Sequence, residues 1–197
     1  MREKVRMVLV LVVLSALSAI LLALIDYVSS DMIEENRERG MKLAVLSALS
    51  VPLEGRTAEE VFGRSIKKIK TEAGMLYFSE EEGNEGAAFK ISGPGFWGPI
   101  SMLLAIDIKD LSIRGLEILE QGETPGLGAR IEEVEFRKRF KWKSVDQPLR
   151  VRSQAEGIES NDVAAITGAT ISSKAVERII NEASRPYIEA IRSLKHD

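Results

Sequence analysis

The 197 residues contain no cysteine. Disulfides, thiolate metal sites, a cysteine nucleophile and lipid attachment to an N-terminal cysteine are therefore excluded. Histidine occurs once, as His196 beside the C-terminus. A chain-end histidine is a poor catalytic base, which argues against Ser-His-Asp chemistry and His-rich metal sites. Excess positive charge is also missing. The 27 Lys and Arg stand against 30 Asp and Glu, a formal net charge of -3, so nothing points to nucleic acid. There is no G-x-x-x-x-G-K-[ST] phosphate loop, no G-x-G-x-x-G after a strand, no fixed-period repeat and no low-complexity tract. What remains is ordinary for a globular protein, with 45% hydrophobic and 29% charged residues.

Charge is absent in one place above all. From Met7 to Ile25 the chain reads MVLVLVVLSALSAILLALI. At ~1.5 Å per residue this run spans roughly 28 Å as a helix, close to the thickness of a hydrocarbon core. A signal peptide would have a shorter apolar region, about 7–15 residues, followed by a small-x-small site. Here Asp26-Tyr27 follow directly, so an uncleaved anchor is expected. Arg2, Lys4 and Arg6 precede the run, whereas Asp26, Asp31, Glu34 and Glu35 follow it and no cation returns before Arg37. Positive charge stays on the cytoplasmic side. The expectation is a single-pass protein of the cytoplasmic (inner) membrane, N-terminus inside, with the rest outside. Three parts follow: 1–25 as N-terminus and anchor, 26–56 as a helical extension, and 57–197 as an extracytoplasmic domain.

Residues 27–50 carry Met32, Ile33, Met41, Val45 and Leu49 at roughly helical spacing, which predicts a helix that continues the anchor and then packs on the domain. Val51-Pro52 ends it. Thr57 to Glu60 has capping-box spacing and starts a short helix near Ala58. From about Ile66 the pattern is that of strands. Gly74–Glu80 and Glu85–Ser92 flank an acidic EEGN turn as a hairpin. Pro99–Ile108 is a nearly continuous apolar run, hence a central strand, and Ser112–Gln121 is another. Ile131–Lys143 reads as a helix with Ile131, Val134 and Phe140 on one side. PLRVRSQ is a late strand. Ser173–Ile191 is an amphipathic helix that Pro186 kinks or splits. The fold class is α+β, with a mainly antiparallel sheet and flanking helices.

Three stretches are poorly suited to filling a core. GPGFWGPI, Gly93–Ile100, surrounds Phe96-Trp97 with glycine and proline. It is either a turn whose aromatics enter the core or a wall for a flat ligand. ETPGLG, Glu123–Gly128, combines a proline with two glycines, so that backbone amides can approach a ligand closely. TGATISSK, Thr167–Lys174, places Gly168 among hydroxyls at a helix start. Free N–H groups and the helix dipole favour an anion there. Ordinary N-capping by Ser172 or Ser173 would explain one serine and leave Thr167, Gly168 and Thr170 without a role.

TGATISS resembles the [S/T]-G-A-T motif of the FMN-binding domain family of ion-pumping redox complexes. ETPGLG and FWGPI resemble that family's other motifs, in the same order and behind a similar anchor. The likeness covers essentially the whole chain. It is greatest to the G subunit of Rnf-type complexes and to the C subunit of the Na⁺-translocating NADH:quinone oxidoreductase. The resemblance implies FMN joined by a phosphoester to Thr170, put there by a flavin transferase that takes FMN from FAD with Mg²⁺. It implies a phosphate near Gly168 and Ala169, with Thr167, Ser172 and Ser173 as donors. The isoalloxazine ring would lie against Trp97 and the loop holding Glu123, Thr124, Gly126, Leu127 and Gly128. The expected role is that of an electron carrier among other membrane and peripheral subunits of a translocase, Rnf-type in preference to the quinone-reductase type, with no independent catalysis. Two departures from the family pattern are Gln121-Gly122, where a histidine is common, and Ala164, where an aspartate is common; the nearest acid is Asp162. Two other readings remain open: a membrane-anchored binding module without covalent flavin, and a scaffold subunit.

Overall fold

The computed structural model describes residues 2–79, 85–153, 157 and 159–194. The chain divides into two compact units, Met1–Gly40 and Met41–Asp197. Helix α1, Arg2–Ala48, accounts for the described residues of the first unit and for the first residues of the second. In the first unit Val5 to Ile25 are exposed along its whole circumference. Among the described residues it is the one helix long and apolar enough to cross a membrane. Met32 and Ile33 are also exposed, whereas Val45, Leu46 and Ala48 are buried in the second unit. The expected helix over 27–50 is present, but only its last two turns bury an apolar face. It closes with Ser50 in the left-handed region (φ 59) and with the Val51 N–H bonded to the Leu46 carbonyl at 2.8 Å. Helix α2, Ala58–Ser65, begins with the expected capping box. The Glu60 N–H donates to Thr57 Oγ1 and the Thr57 N–H to Glu60 Oε2.

Five strands then form one antiparallel meander: β1 Ile66–Lys70, β2 Met75–Ser79, β3 Gly86–Pro94, β4 Pro99–Asp107 and β5 Ile113–Gln121, in spatial order 1-2-3-4-5. The predicted β2–β3 pair is present; its EEGN turn lies outside the described residues. The apolar run of β4 has a physical reason. Met102, Leu104 and Ile106 join one hydrophobic cluster, while Leu103 and Ala105 join a second on the opposite face. Both faces of the interior strand are covered, so alternation of apolar and polar residues disappears. The end of α1 and α2 cover one face; the C-terminal helices cover the other. Gly115 in β5 permits the first of these contacts, because a Cβ there would stand 2.7 Å from Ala48 Cα.

One helical expectation needs correction. Ile131–Lys143 is not one helix. A 3₁₀ turn, Gly128–Glu132, is followed by a short α3, Val134–Lys138. Glu133 between them has extended ψ (132°), which breaks the helical path. The break turns Ile131, Phe136 and Phe140 into the core and leaves Val134 half exposed. The C-terminal amphipathic segment is two helices, α4 Thr170–Ala183 and α5 Arg185–Leu194. The expected split at Pro186 is present, with the division at Ser184 and Pro186 in the first turn of α5, where a missing N–H costs nothing; only the bounds move, the first helix starting three residues earlier than expected. PLRVRSQ contains β6, Arg150–Arg152, which pairs in parallel with β7, Asp162–Ala164, a strand that sequence reasoning did not anticipate. The strand pair delivers the chain into the N-terminus of α4, which packs along β3: a Cβ on Gly93 would reach Ile179 Cγ1 at 2.7 Å.

Candidate functional site

Three connections meet at one end of the sheet: the β3–β4 tip (94–98), the loop after β5 (122–128), and the turn into α4 (166–169). Each has a local reason for its shape. The tip closes through the Gly95 N–H to Gly98 carbonyl bond at 2.8 Å. Thr124–Leu127 is a turn with Pro125 at its second position and Gly126 at its third. Gly126 has φ 75 and the Leu127 N–H bonds back to the Thr124 carbonyl at 3.1 Å, the demands of a type II turn. Ile166–Ala169 repeats this geometry with Gly168 at φ 83 and the Ala169 N–H on the Ile166 carbonyl at 2.9 Å. The tip and the loop touch backbone to backbone, since a Cβ on Gly98 would lie 2.9 Å from Gly122 Cα.

Glu123 ties the three connections together. Its side chain is buried, with Oε1 accepting the Phe96 N–H at 2.7 Å and the Trp97 N–H at 3.1 Å, while Oε2 accepts the Ser172 hydroxyl at 2.6 Å. Burial pushes this carboxyl up. The hydrogen bonds from Ser172, Trp97, Phe96 and Gly98 outweigh that and hold it below the ordinary carboxylate value. The carboxylate has no room to spare: a Cβ on Gly128 would stand 2.5 Å from both Glu123 Oε2 and Ser172 Oγ. Glu123 is thus a fastener between hairpin, loop and helix.

The start of α4 is the chemically open part. Its N-cap, Ala169, provides no side-chain cap. The first intrahelical bond runs from the Ser173 N–H to the Ala169 carbonyl at 2.9 Å. The N–H groups of Thr170, Ile171 and Ser172 therefore precede the helical ladder, and with the dipole they make an anion-attracting end. The serines do not cap. Ser172 donates to Glu123; Ser173 is fully buried, donates to the Ala169 carbonyl at 2.9 Å and accepts the Ile166 N–H at 3.1 Å.

A groove of about 110 Å³ runs between these parts. Of the residues expected at a site, Trp97, Glu123, Thr124, Leu127, Gly128, Gly168, Ala169, Thr170 and Ser172 line it. Thr167, Gly126 and Ser173 shape the adjoining turns without lining it. Sequence reasoning passed over Ile171, which is 57% exposed on the rim, alongside Leu127 (54%), Phe96 (52%) and Trp97 (70%). Phe96 and Trp97 stand edge to face at 5.1 Å. Large apolar side chains gathered in water around a polar floor mark a surface made to be covered. Amide donors at one end and flat apolar walls beside them suit a ligand with an anionic group and a planar ring, so FMN fits the residues present. A larger cleft of about 260 Å³ between Val145–Pro148 and α4–α5 contains none of the motif residues.

Two arginines that no motif indicated hold the segment entering α4. Arg139 Nη1 donates to the carbonyls of Ala164 at 2.8 Å and Ala165 at 3.3 Å, and Arg130 Nη1 reaches the Thr167 carbonyl at 3.4 Å. Asp162, the acid nearest the motif, is buried in β7. It stands 2.7 Å from Arg152 Nε and accepts the Glu159 N–H.

The FMN-binding domain family matches residues 95–185, which run from the hairpin tip to the start of α5. The chain is 33% identical over 189 residues to the G subunit of the Na(+)-translocating ferredoxin:NAD(+) oxidoreductase complex of Acetobacterium woodii, covering 91% of this chain and 89% of that protein. It is 27% identical to the G subunit of the proton-translocating ferredoxin:NAD(+) oxidoreductase complex of Clostridium ljungdahlii, covering 85% of this chain and 82% of that one. Identity to the C subunit of the Na(+)-translocating NADH-quinone reductase of Vibrio vulnificus is 26%, over 78% of this chain and 62% of that protein. The crystal structure of Shewanella oneidensis NqrC has the same fold, with a TM-score of 0.69 at 17% identity, covering 81% of this chain and 99% of that one.

Proposed function

The chain belongs to the FMN-binding domain family, and on that premise we propose that it is an electron-carrier flavoprotein of an Rnf-type ion-translocating oxidoreductase in the membrane, with FMN linked covalently to Thr170. The observation that carries this reading is the position of Thr170. It is the first residue of α4, beside the Gly168 turn and the uncapped amides, on a groove rimmed by Phe96, Trp97, Leu127 and Ile171. The degree and extent of likeness to the G subunits of the ferredoxin:NAD(+) oxidoreductases, against the smaller share matched in the quinone-reductase relative, support the Rnf type.

When bound, FMN supplies reversible electron transfer, which no side chain of this protein can. The protein's own residues bind, orient and shield. The Thr170, Ile171 and Ser172 amides hold the phosphate end, and the apolar rim receives the ring. Attachment requires a separate flavin transferase with FAD and Mg²⁺. Thr170 Oγ forms a bond to the FMN phosphorus of FAD, the bond from that phosphorus to the AMP half breaks, AMP leaves with the electron pair, and the threonine proton passes to a base of the transferase. The groove is open at the surface, so Thr170 is reachable without unfolding α4. The apolar helix anchors the chain once in the cytoplasmic membrane, with the second unit outside, and other subunits of the complex exchange electrons with it.

Co-expression with a flavin transferase tests this. A denaturing gel viewed under ultraviolet light is expected to show a fluorescent band for the wild type and none for Thr170→Val. Dark bands in both, beside a control substrate that is labelled, would reject the covalent flavin and leave a binding module without it.

A further inference from the structure

Arg130 sits two residues past the ETPGLG loop, on the 3₁₀ turn. Its Nε and Nη2 edge forks onto Glu133, at 2.9 Å to Oε1 and 3.3 Å to Oε2, and its opposite corner, Nη1, meets the Thr167 carbonyl at 3.4 Å. Glu133 therefore lies behind the guanidinium, and the pair presents its positive end to the turn that enters α4. The side chain is 41% exposed. A guanidinium has five N–H donors, and the three bonds just given use three of them, so two are left for a ligand.

The charges around the groove show why a cation is needed there. An FMN phosphodiester carries one negative charge. The helix end offers the equivalent of about half a positive charge. Glu123 also lines the groove, and its hydrogen bonds favour the ionised form. Among the described residues Glu123 is the one charged residue that lines the groove, and no cation lines it; Arg139 and Arg178 are engaged on the Ala164, Ala165 and Pro94 carbonyls, while Arg130 stands just outside, on the Thr167 carbonyl. We propose that Arg130 is a positioning residue that completes the phosphate end of the site. It fixes the Thr167 carbonyl, and with it the Gly168 turn, and its free N–H groups offset the charge of Glu123 toward an incoming phosphoryl group. This rests on the reading that Thr170 accepts FMN.

The test measures the initial rate of covalent flavin incorporation into the full-length protein in detergent, by intact mass, with FAD, Mg²⁺ and an active transferase. Arg130→Met is expected to slow incorporation about tenfold, as loss of a charge-assisted contact would, with the melting temperature of the flavin-free protein unchanged. Arg130→Lys restores most of the rate. The ratio of wild type to Arg130→Met narrows in about 1 M salt, where the screening length falls to ~3 Å. Glu133→Gln removes the opposing charge and is expected to label at least as fast as the wild type. Labelling of Arg130→Met at the wild-type rate overturns the proposal while leaving Thr170 as the acceptor. So does equal slowing of Arg130→Met, Arg130→Lys and Glu133→Gln with lowered melting temperatures, which would make the pair mere scaffolding. If the wild type takes up no flavin, the parent reading and this one fall together.

Discussion

Glu123→Ala should loosen the whole site without touching any residue expected to carry the cofactor covalently. The carboxylate accepts two backbone N–H groups and the Ser172 hydroxyl at 2.6–3.1 Å. Truncation leaves these donors without a partner, and an unsatisfied buried donor costs about 1–3 kcal/mol. The hairpin tip is open enough for water to reach some of them, so a net loss of about 2–4 kcal/mol is expected. Glu123→Gln should cost less, roughly 1–2 kcal/mol. Its carbonyl still takes the amides, but its NH₂ now faces Ser172, which must accept instead of donate. The pH dependence has a definite sign. The folded-state pKa is depressed below the ordinary 4.5, so the stabilisation is full above the unfolded-state pKa and is lost as pH falls through the folded-state value. The gap between wild type and Glu123→Gln should therefore be largest above the unfolded-state value of 4.5 and close as pH falls through the depressed folded-state value. Denaturant titration of the full chain measures the stabilities, and amide hydrogen exchange at Phe96 and Trp97 reports the tip directly. A Glu123→Ala protein within about 0.5 kcal/mol of wild type, with protection of those two amides unchanged, would refute the fastening role.

Further predictions follow from the glycines. Gly168→Ala must hold φ near 83, which costs an L-residue about 1–2 kcal/mol; the turn should relax, and covalent flavin incorporation, read by intact mass, should drop well below wild type. Gly115→Ala would drive a methyl into the Ala48 backbone. It should destabilise the second unit by about 1–3 kcal/mol in denaturant titration, yet leave flavin incorporation at moderate temperature intact, since β5 meets α1 away from the groove.

Much of the architecture could be read locally. The Thr57 capping box, the β2–β3 pair and the interior character of β4 rest on near neighbours in sequence or on burial pattern, and those forces act in any context. The failures came where tertiary packing overrode local preference. Residues 131–143 have helical composition, but Ile131, Phe136 and Phe140 cannot all face the core on one continuous helix, and a break at Glu133 resolves the conflict. Strand β7 is three residues long and exists because β6 lies beside it. Neither serine of the motif caps α4: Ser172 donates to Glu123 and Ser173 to the Ala169 carbonyl.

The sequence alone determined that an uncharged run of membrane length precedes an α+β domain, and that three glycine-rich connections, one of them at a helix start, are poorly suited to filling a core. Those conclusions need only composition, spacing and the stereochemistry of glycine and proline. That the connections converge, that a buried carboxylate fastens them, and that Arg130 reaches the Thr167 carbonyl from 37 residues away are matters of tertiary structure. Hydrogen bonds and charges act over a few ångströms in space, and only the meander and the helices packed on it bring these groups within that range.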